Sequence, residues 1–390
     1  MINVKERFIE NKNAVICLLV PIAVVAKLIE HLFLPEKYFY DSSRILLTSL
    51  VGNIEGYSWG GNYEFTAKIF AKLNVFNFTS LLQWSIAIGI IFNIILFIMF
   101  TRIKGMDLLQ SIFTLMCIGL CNIYVFNLGK DIIQYFLFAL CFIIISMDRI
   151  PIVIRALGVA MIFYWESTFF RNYYIIMAAF TLVVYGIFKI VRQRHIKINL
   201  KKFVLITIVL YVVMCVFLLI ASVAMPEDYN DILNCKDSST QLGASTVIDD
   251  KIEYGENIGL YMQNYIINSI RMMFPVELLS GGAFYFPFFL FQILLIYYMY
   301  RNIKEIHRVN DKNILALSTF IAFFMGSVLF EPDFGSFARH EAAAFPIIIL
   351  FAIDNLNIIK GKVYEDDRDK RITYYGEDMF NEKHDKIGLL

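Results

Sequence analysis

Charged residues are scarce in this sequence: Asp, Glu, Lys and Arg make up only 18% of its 390 residues. Soluble globular domains carry about 25% charged residues, so the shortage argues against a soluble protein. The formal net charge is +1, and no basic patch is interleaved with aromatic residues. The sequence therefore gives no indication of a nucleic-acid partner.

Cysteines placed for pairing are also lacking. Of the six cysteines, only Cys235 lies in a polar segment, so the sequence predicts no disulfide framework. Cys117 and Cys121 share a helix face, but no His or carboxylate lies near them in sequence, and they are interpreted as packing residues. No metal site and no cofactor are predicted, although the use of a divalent metal ion is left open. The remaining cysteines, all in apolar runs, are Cys17, Cys141 and Cys215.

Motifs for nucleotide binding and for common hydrolases are missing as well. The sequence contains no P-loop, no GxGxxG after a strand, no HExxH, no GxSxG and no paired CxxC. We therefore expect neither nucleotide hydrolysis nor a cytoplasmic domain that binds nucleotide sugars.

Apolar residues dominate instead, at 58% of the chain with 37 phenylalanines. Apolar stretches of about 18 residues or more recur, and this is the length of a helix that crosses a bilayer. The sequence predicts an all-α polytopic integral membrane protein, with a transmembrane domain at 1–359 and a charged cytoplasmic tail at 360–390. Ten transmembrane helices are predicted near 14–34, 78–100, 107–128, 131–147, 150–165, 170–191, 203–224, 283–300, 314–330 and 343–359.

The distribution of Lys and Arg gives these ten helices an orientation. With the N-terminus in the cytoplasm, 24 of the 35 Lys and Arg residues fall in cytoplasmic segments and 10 in outer segments. This is the bias that the positive-inside rule describes, so both termini are predicted to be cytoplasmic. Two outer loops are long, 35–77 and 225–282, and their amphipathic stretches predict helices at the membrane surface.

Two arginines near the predicted outer face are candidates for binding an anion. Arg171 and Arg339 each present a fork of donors that suits a diphosphate. For Arg171 the alternative is a side chain that reaches the lipid headgroups. Arg339 is predicted to precede a helix that starts near Glu341, where a cation is unfavourable without a partner. Glu331, Asp333 or an anionic ligand would supply that partner.

Carboxylates on the same side are candidates for a general base. Asp41, Glu64 and Glu166 qualify because a carboxylate within hydrogen-bond reach can take the proton of a sugar hydroxyl. For each of them, a salt bridge or simple solvation is the competing interpretation. His340 is the candidate proton donor, since imidazole titrates near neutral pH.

Further polar residues complete the predicted substrate-binding set or lie apart from it. Lys130 and Asp333 join the two arginines, and Tyr173 either stacks on a sugar or lies in the interfacial aromatic belt. Lys27, Glu30 and His31 share one face of the first predicted helix. We interpret them as an internal ion pair that faces the protein.

Several segments resemble known membrane proteins. The stretch GNYEFTAKIFAKLNVFNFTSLLQWSIAIGIIF is similar to the early region of EpsG-like and Wzy-type polysaccharide polymerases. NLGKDIIQYFLF, STFFRNYYII and EPDFGSFARHEAAAFPIII resemble segments of bacterial membrane proteins near that group. The resemblance implies an enzyme of the bacterial cytoplasmic membrane that joins oligosaccharide repeat units carried on undecaprenyl diphosphate, at the outer face. It also implies that Arg171 and Arg339 bind the anionic lipid-linked substrate.

This resemblance implies partners and leaves two alternatives open. The partners are a polyprenyl-linked oligosaccharide and the lipid bilayer, with a flippase and a chain-length regulator as further candidates and no nucleic acid. One alternative is a GT-C-type glycosyltransferase that uses a polyprenyl-phosphate sugar with Asp41 as the base. The other is a transporter or flippase of lipid-linked glycans, which is not an enzyme.

Overall fold

Helices form almost all of the described chain, and the regular pairing between extended segments found there is a single bridge between Val247 and Asp333. The all-α prediction is therefore confirmed for this part of the chain. The computed structural model describes residues 4–35, 39–58, 61–224, 226–227, 229–230, 246–255, 257–282 and 285–353.

Polar caps mark helix starts in the first half of the chain. Ser80 and Gln83 form a capping box at the start of α4, and Asp107 and Gln110 form another at the start of α5. Each box satisfies backbone N–H groups that have no partner within the helix. The helices are α1 (Val4–Phe33), α2 (Tyr40–Val51), α3 (Asn62–Leu73), α4 (Leu81–Arg102), α5 (Leu108–Leu120), α6 (Lys130–Ser146) and α7 (Ile152–Phe169).

The second half of the chain continues the bundle. A π-helical turn at Cys121–Val125 extends α5, and another at Ile349–Ile353 follows the last helix. A 3-10 helix occupies Val276–Gly281. The remaining helices are α8 (Tyr174–Gln193), α9 (Leu200–Ala224), α10 (Ile258–Met273), α11 (Phe286–Lys304), α12 (Asp311–Phe330), α13 (Phe334–Ala343) and α14 (Phe345–Ile348).

Seven helices in the described part of the chain are long and apolar enough to cross a membrane. They are α1, α4, α5 with its π-helical turn, α7, α8, α9 and α12, and the pair α13–α14 would be an eighth if its two arms, bent by 58°, form one span. The chain is thus a multi-pass membrane protein. The predicted ten helices also include α6 and α11, which do not meet these criteria, so the number ten stays a prediction.

One helix lies at the centre of the bundle. Every residue of α12 from Asn313 to Phe330 is buried, and its most extensive contact is with α8. Gly326 allows this close approach, because a Cβ atom there would lie 2.5 Å from Met177 Cε. By contrast, α1, α4 and α9 are mostly exposed on the outside of the bundle.

Two predicted segments differ from the structure. The helix predicted at 150–165 extends to Phe169, because the polar residues Glu166 and Ser167 are buried inside the bundle and do not end it. The predicted loop 331–342 is mostly helical, since Asp333 caps α13 and the helix begins well before Glu341. In contrast, α2 and α3 form within 35–77, and α10 within 225–282, as their amphipathic patterns predict. The tail 360–390 lies outside the described residues.

Candidate functional site

Ionisable side chains from distant parts of the sequence meet at one end of the helical bundle, which we call the site end. At this end α1, α7 and α12 finish, and α6, α8 and α13 begin. Different contacts mark the opposite end, where Gln110 Nε2 donates a 2.9 Å hydrogen bond to Ala352 O. The residues that meet at the site end form the site cluster: Asp41, Tyr63, Lys130, Asp131, Arg171, Glu331, Arg339 and His340.

His340 connects three members of the site cluster. Its Nδ1 atom is hydrogen-bonded to Glu331 Oε1, and Arg171 Nη2 lies 2.8 Å from its Nε2 atom. Asp131 Oδ1 lies 3.3 Å from the same Nε2 atom. When the ring is neutral, Nδ1 carries the proton that Glu331 accepts, and Nε2 accepts from Arg171. When the ring is charged, Nε2 also carries a proton and faces Asp131. Since the side chain of His340 is only 8% exposed, its main effect is to hold these charged neighbours in place.

Asp41 forms the second centre of the site cluster. Tyr63 Oη donates a 3.0 Å hydrogen bond to Asp41 Oδ2, and Lys130 Nζ lies 3.5 Å from the same oxygen. The ammonium of Lys130 also lies 3.6 Å from the centroid of the Tyr63 ring, which is a cation–π contact. One carboxylate therefore joins α2, α3 and the first residue of α6.

A small pocket lies between these two centres. Its lining includes Asp41, Lys130, Asp131 and Arg339, and it encloses about 40 Å³, which is room for water molecules only. Asp41 Oδ1 and Arg339 Nε are buried without a hydrogen bond to any described residue. The contact between Arg339 Nε and Asp131 Oδ2 is 3.9 Å, longer than a hydrogen bond. Two residues that line the pocket, Asp41 and Arg339, thus each carry a buried polar atom that has no hydrogen bond to a described residue.

The segment around Asp333 supports the site cluster from one side. Asp333 Oδ1 accepts a 2.9 Å hydrogen bond from Ser336 N and so caps α13. Two backbone hydrogen bonds join this segment to the long loop 225–282: Ile248 N donates to Pro332 O at 2.8 Å, and Phe334 N donates to Thr246 O at 2.9 Å. Asp333 therefore fixes the start of the helix that carries Arg339 and His340.

Glu331 and Tyr63, which lie outside the membrane-spanning helices, have shifted pKa values. Burial alone would raise the pKa of Glu331, but the charge and hydrogen bond of His340, together with Arg171, hold it below its usual range. Burial raises the pKa of Tyr63, and the carboxylate of Asp41 raises it further. Glu331 is therefore a stable anion at neutral pH, and Tyr63 is a permanent hydrogen-bond donor to Asp41.

Both arginines have protein neighbours within the site cluster. For Arg339, the predicted partner was Glu331, Asp333 or an anionic ligand; in the structure Glu331 is hydrogen-bonded to His340, and Asp333 caps α13. Its acidic neighbour is Asp131 at the start of α6. For Arg171, the guanidinium points into the protein, where Nη1 donates a 2.9 Å hydrogen bond to Tyr173 Oη. Both arginines therefore lie within the site cluster.

Three predicted site residues lie outside the site cluster or have other roles. Glu64 pairs with Lys68 at 2.6 Å on the surface of α3. Glu166 is 1% exposed, and neither of its carboxylate oxygens has a hydrogen bond to a described residue. The Tyr173 ring stacks on Phe330 with the centroids 3.8 Å apart. This stacking occupies one face of the ring that was expected to contact a sugar or the lipid interface.

Sequence reasoning missed the roles of three residues. Asp131, Glu331 and Tyr63 were not in the predicted set, although each is adjacent to a polar residue or helix start that was noted. The signal for Asp131 was its position in the first turn of a helix, where a carboxylate is favoured by the helix dipole. For Tyr63 and Glu331 no pattern in the sequence indicates the partner that each contacts.

A second cluster of polar side chains lies next to the site cluster and involves α1. Lys27 Nζ donates to Glu30 Oε2 at 2.8 Å, to Phe126 O at 2.8 Å and to Asn127 Oδ1 at 2.6 Å. Ser85 Oγ donates to Asn127 Oδ1 at 2.9 Å. We call Lys27, Glu30, Ser85 and Asn127 the α1 cluster. The predicted internal ion pair is confirmed for Lys27 and Glu30, whereas His31 is exposed, because it projects from the next turn toward the outside of the bundle.

Neither a metal centre nor a related protein adds to this description. Among the described residues, no group of three or more His, Cys, Asp and Glu side chains is arranged to hold a metal ion. Comparison with protein-family models, curated proteins and solved structures gave no match for this chain. The geometry of the site cluster is thus the basis for assigning a function.

Proposed function

We propose that the protein transfers glycosyl groups from a lipid-linked diphosphate donor, and that it polymerises undecaprenyl-diphosphate-linked oligosaccharide repeat units. The observation that carries this proposal is the pocket lined by Asp41 and Arg339. Beside the pocket, one carboxylate oxygen of Asp41 and the Nε atom of Arg339 are buried without a hydrogen bond to a described residue. A substrate with a hydroxyl group and an anionic phosphate would satisfy both atoms once the pocket opens to admit it.

Each group would have a defined part in the transfer. A hydroxyl oxygen of the acceptor sugar attacks the anomeric carbon of the donor sugar, and the bond from that carbon to the diphosphate oxygen breaks. The diphosphate leaves with the bonding electron pair, and Asp41 takes the proton of the attacking hydroxyl. Arg339 and Lys130 stabilise the negative charge that develops on the leaving group. Neither a nucleotide nor a metal ion is needed to balance this reaction.

Arg171 and His340 would act on this chemistry through their neighbours. His340 is held by Glu331 and lies 3.3 Å from Asp131, the carboxylate next to Arg339. Arg171 donates to the same imidazole. We infer that this chain of contacts sets the position of Arg339 relative to the pocket, and that Arg171 adds positive charge for the substrate.

The size of the pocket adds one requirement to the proposal. A space of about 40 Å³ is too small for a sugar ring. Asp41 on α2 lines the pocket, and its carboxylate is held by Tyr63 on α3 and by Lys130 on α6. We infer that α2 and α3 move as a pair away from α6 when the oligosaccharide binds.

The location of the reaction is part of the same proposal. The site end would face the outside of a bacterial cytoplasmic membrane, with both termini in the cytoplasm, as the distribution of Lys and Arg predicts. A flippase would deliver the lipid-linked repeat units, and a chain-length regulator would act on the product.

The test replaces each arginine by alanine in cells that make the polymer. Arg339→Ala and Arg171→Ala are expected to reduce polymer by about 100-fold or more, because each removes a charged contact to the substrate. Lys68→Ala, which removes an exposed cation of α3, is the control and should leave the polymer unchanged. Membrane insertion is measured for all three. Normal amounts and lengths of polymer from both arginine variants would refute the proposal.

A GT-C-type glycosyltransferase remains the second candidate, because Asp41 lines the pocket and has an oxygen without a hydrogen bond to a described residue. The two candidates differ in the donor: a sugar on polyprenyl monophosphate against an oligosaccharide on the diphosphate. Incubation of the purified protein with each donor separates them. Transfer from the monophosphate donor alone would favour the second candidate.

A transporter of lipid-linked glycans is favoured by a different observation. Glu166 and Glu341 are buried, and both carry carboxylate oxygens without hydrogen bonds to described residues. Buried carboxylates in membrane proteins often carry protons. Movement of a labelled lipid-linked oligosaccharide across proteoliposomes, lost in Glu166→Gln and dependent on a proton gradient, would support transport against transfer.

A further inference from the structure

A long apolar groove runs along the outside of the bundle between α1 and α4. It has a volume of about 660 Å³. Along α1 it extends from Ile16 to Leu32, which corresponds to about 24 Å of helix. The hydrocarbon core of a bilayer is about 30 Å thick, so the groove follows most of its depth.

Side chains four residues apart form the two walls of the groove. Val20, Val24 and Leu28 line it from α1, and Ile86, Ile90 and Ile94 line it from α4. Residues at this spacing form a continuous ridge along one face of a helix. Two parallel apolar ridges leave a channel that is suited to an extended hydrocarbon chain.

Polar side chains line the floor of the groove. Near the site end these are Lys27 and Ser85, which both belong to the α1 cluster, and further along they are Asn93 and Asn122. Gly89 makes room for the Lys27 side chain, because a Cβ atom at this position would lie 3.2 Å from Lys27 Cε. His31 lies at the end of the groove near the site end and is exposed.

One residue separates the groove from the pocket of the site cluster. Asn127 lines the pocket together with Lys130 and Arg339. Its side-chain oxygen also accepts hydrogen bonds from Lys27 and Ser85, which line the groove. The apolar groove therefore ends next to the cations that would hold a diphosphate.

We propose that the groove between α1 and α4 binds the polyprenyl chain of the lipid-linked substrate and directs its diphosphate toward Lys130 and Arg339. The occupant follows from the two neighbouring surfaces, since a ligand that fits both has one long apolar chain and an anionic head. This inference rests on the proposed function for the nature of the substrate. It assigns the recognition of the lipid part of the substrate to the groove, apart from the site where the sugar would bind.

The test is photolabelling of the full-length protein in nanodiscs. The probe is undecaprenyl diphosphate that carries a benzophenone on its chain, and mass spectrometry identifies the labelled peptides. In the wild type, labelling is expected in α1 and α4. Val24→Trp and Ile90→Trp, which fill the groove, are expected to reduce the labelling by about tenfold, equivalent to about 1.4 kcal/mol of binding.

Neighbouring residues provide matched controls. Val25 and Ile91 are exposed to about the same extent as Val24 and Ile90, at 54% and 55% against 53% and 59%, but they do not line the groove. Val25→Trp and Ile91→Trp should therefore leave labelling unchanged. A thermal melt of all four variants shows whether they are equally folded, so a general loss of structure is recognised.

The outcomes separate this inference from the proposed function. Labelling outside α1 and α4, equal labelling in all variants, or displacement of the probe by the same concentration of phosphatidylglycerol would overturn the groove assignment. None of these results depends on polymer synthesis. Conversely, labelling that follows the predicted pattern while Arg339→Ala and Arg171→Ala both make normal polymer would keep the groove as a polyprenyl site and refute the proposed function.

Discussion

The two polar clusters near Asn127 are built from similar residues, but their hydrogen bonding differs. In the α1 cluster, Lys27 uses three acceptors at 2.6 to 2.8 Å, which accounts for the three protons of its ammonium group. In the site cluster, Arg339 Nε and Asp41 Oδ1 are both buried without a hydrogen bond to a described residue.

This difference helps to separate structural charges from functional ones. A buried cation whose donors all have acceptors in the protein needs neither a ligand nor water to complete its hydrogen bonds. A buried donor with no partner costs free energy, unless a ligand or water completes it. The α1 cluster thus has the properties of a structural ion pair, whereas the site cluster keeps hydrogen-bonding capacity for the substrate that we propose.

The largest expected effect comes from breaking the α1 cluster. Lys27→Met leaves the carboxylate of Glu30 buried without a counterion, which should cost about 3–5 kcal/mol of unfolding free energy. Chemical unfolding in detergent measures this. The double variant Lys27→Met/Glu30→Gln removes both charges and should recover most of the loss. If the single variant is as stable as the wild type, Lys27 is not a structural counterion of Glu30, and the α1 cluster does not differ from the site cluster in this respect.

The second-largest effect is expected from Asp41 of the site cluster, and it should appear as a loss of polymer synthesis. Asp41→Asn keeps the shape of the side chain but removes the base, so polymer synthesis should fall by about 100-fold. Its melting temperature should stay close to that of the wild type, in contrast to Lys27→Met. Tyr63→Phe, which removes the hydrogen bond to Asp41, is expected to have a smaller effect. A fully active Asp41→Asn protein would remove Asp41 from the mechanism.

A smaller effect is expected from the pH dependence of the site cluster. The pKa of Glu331 is lower in the folded protein than in the unfolded chain, where it is about 4.3. The carboxylate therefore stabilises the fold fully above that pH, and this contribution is lost as the pH falls through the folded-state pKa. The stability difference between wild type and Glu331→Gln should be largest at neutral pH and shrink in acid. A difference that grows in acid would show that His340 and Arg171 do not stabilise the Glu331 anion.

The smallest effect is expected at Glu64. Its carboxylate forms an exposed pair with Lys68 on α3, and exposed pairs contribute little to stability. Glu64→Gln should change neither the melting temperature nor the polymer. Loss of polymer in this variant would restore Glu64 as a candidate base and place the reaction outside the pocket.

Much of the fold follows from sequence patterns, because apolar runs and caps act locally. The capping box of Ser80 and Gln83 marks the start of α4, and Pro151 precedes α7. The wrong boundaries arose where charged residues are buried, as with Glu166 inside α7. The segment after α12 was predicted as a loop because it is rich in charge, although Asp333 has the residue type and position of an N-cap.

The site was predicted as a group of residues but not as a set of contacts. Asp41, Arg171 and Arg339 could be assigned to one end of the bundle, because helix alternation places them there. Their partners depend on how each helix is rotated about its axis. That rotation brings Arg339 close to Asp131 at the start of α6. It results from packing across the whole bundle, and no short segment of the sequence contains this information.

The buried central helix α12 has a consequence for how the protein is made. A helix whose residues from Asn313 to Phe330 all contact protein must first be stable in lipid as an inserted segment, before its neighbours surround it. Its side chains therefore have two successive solvents, the bilayer and then the other helices. Its apolar composition makes α12 stable in the bilayer. The absence of a side chain at Gly326 leaves space for Met177 of α8, and so allows close packing against the other helices. Assembly is complete only when α12 has exchanged all its lipid contacts for protein.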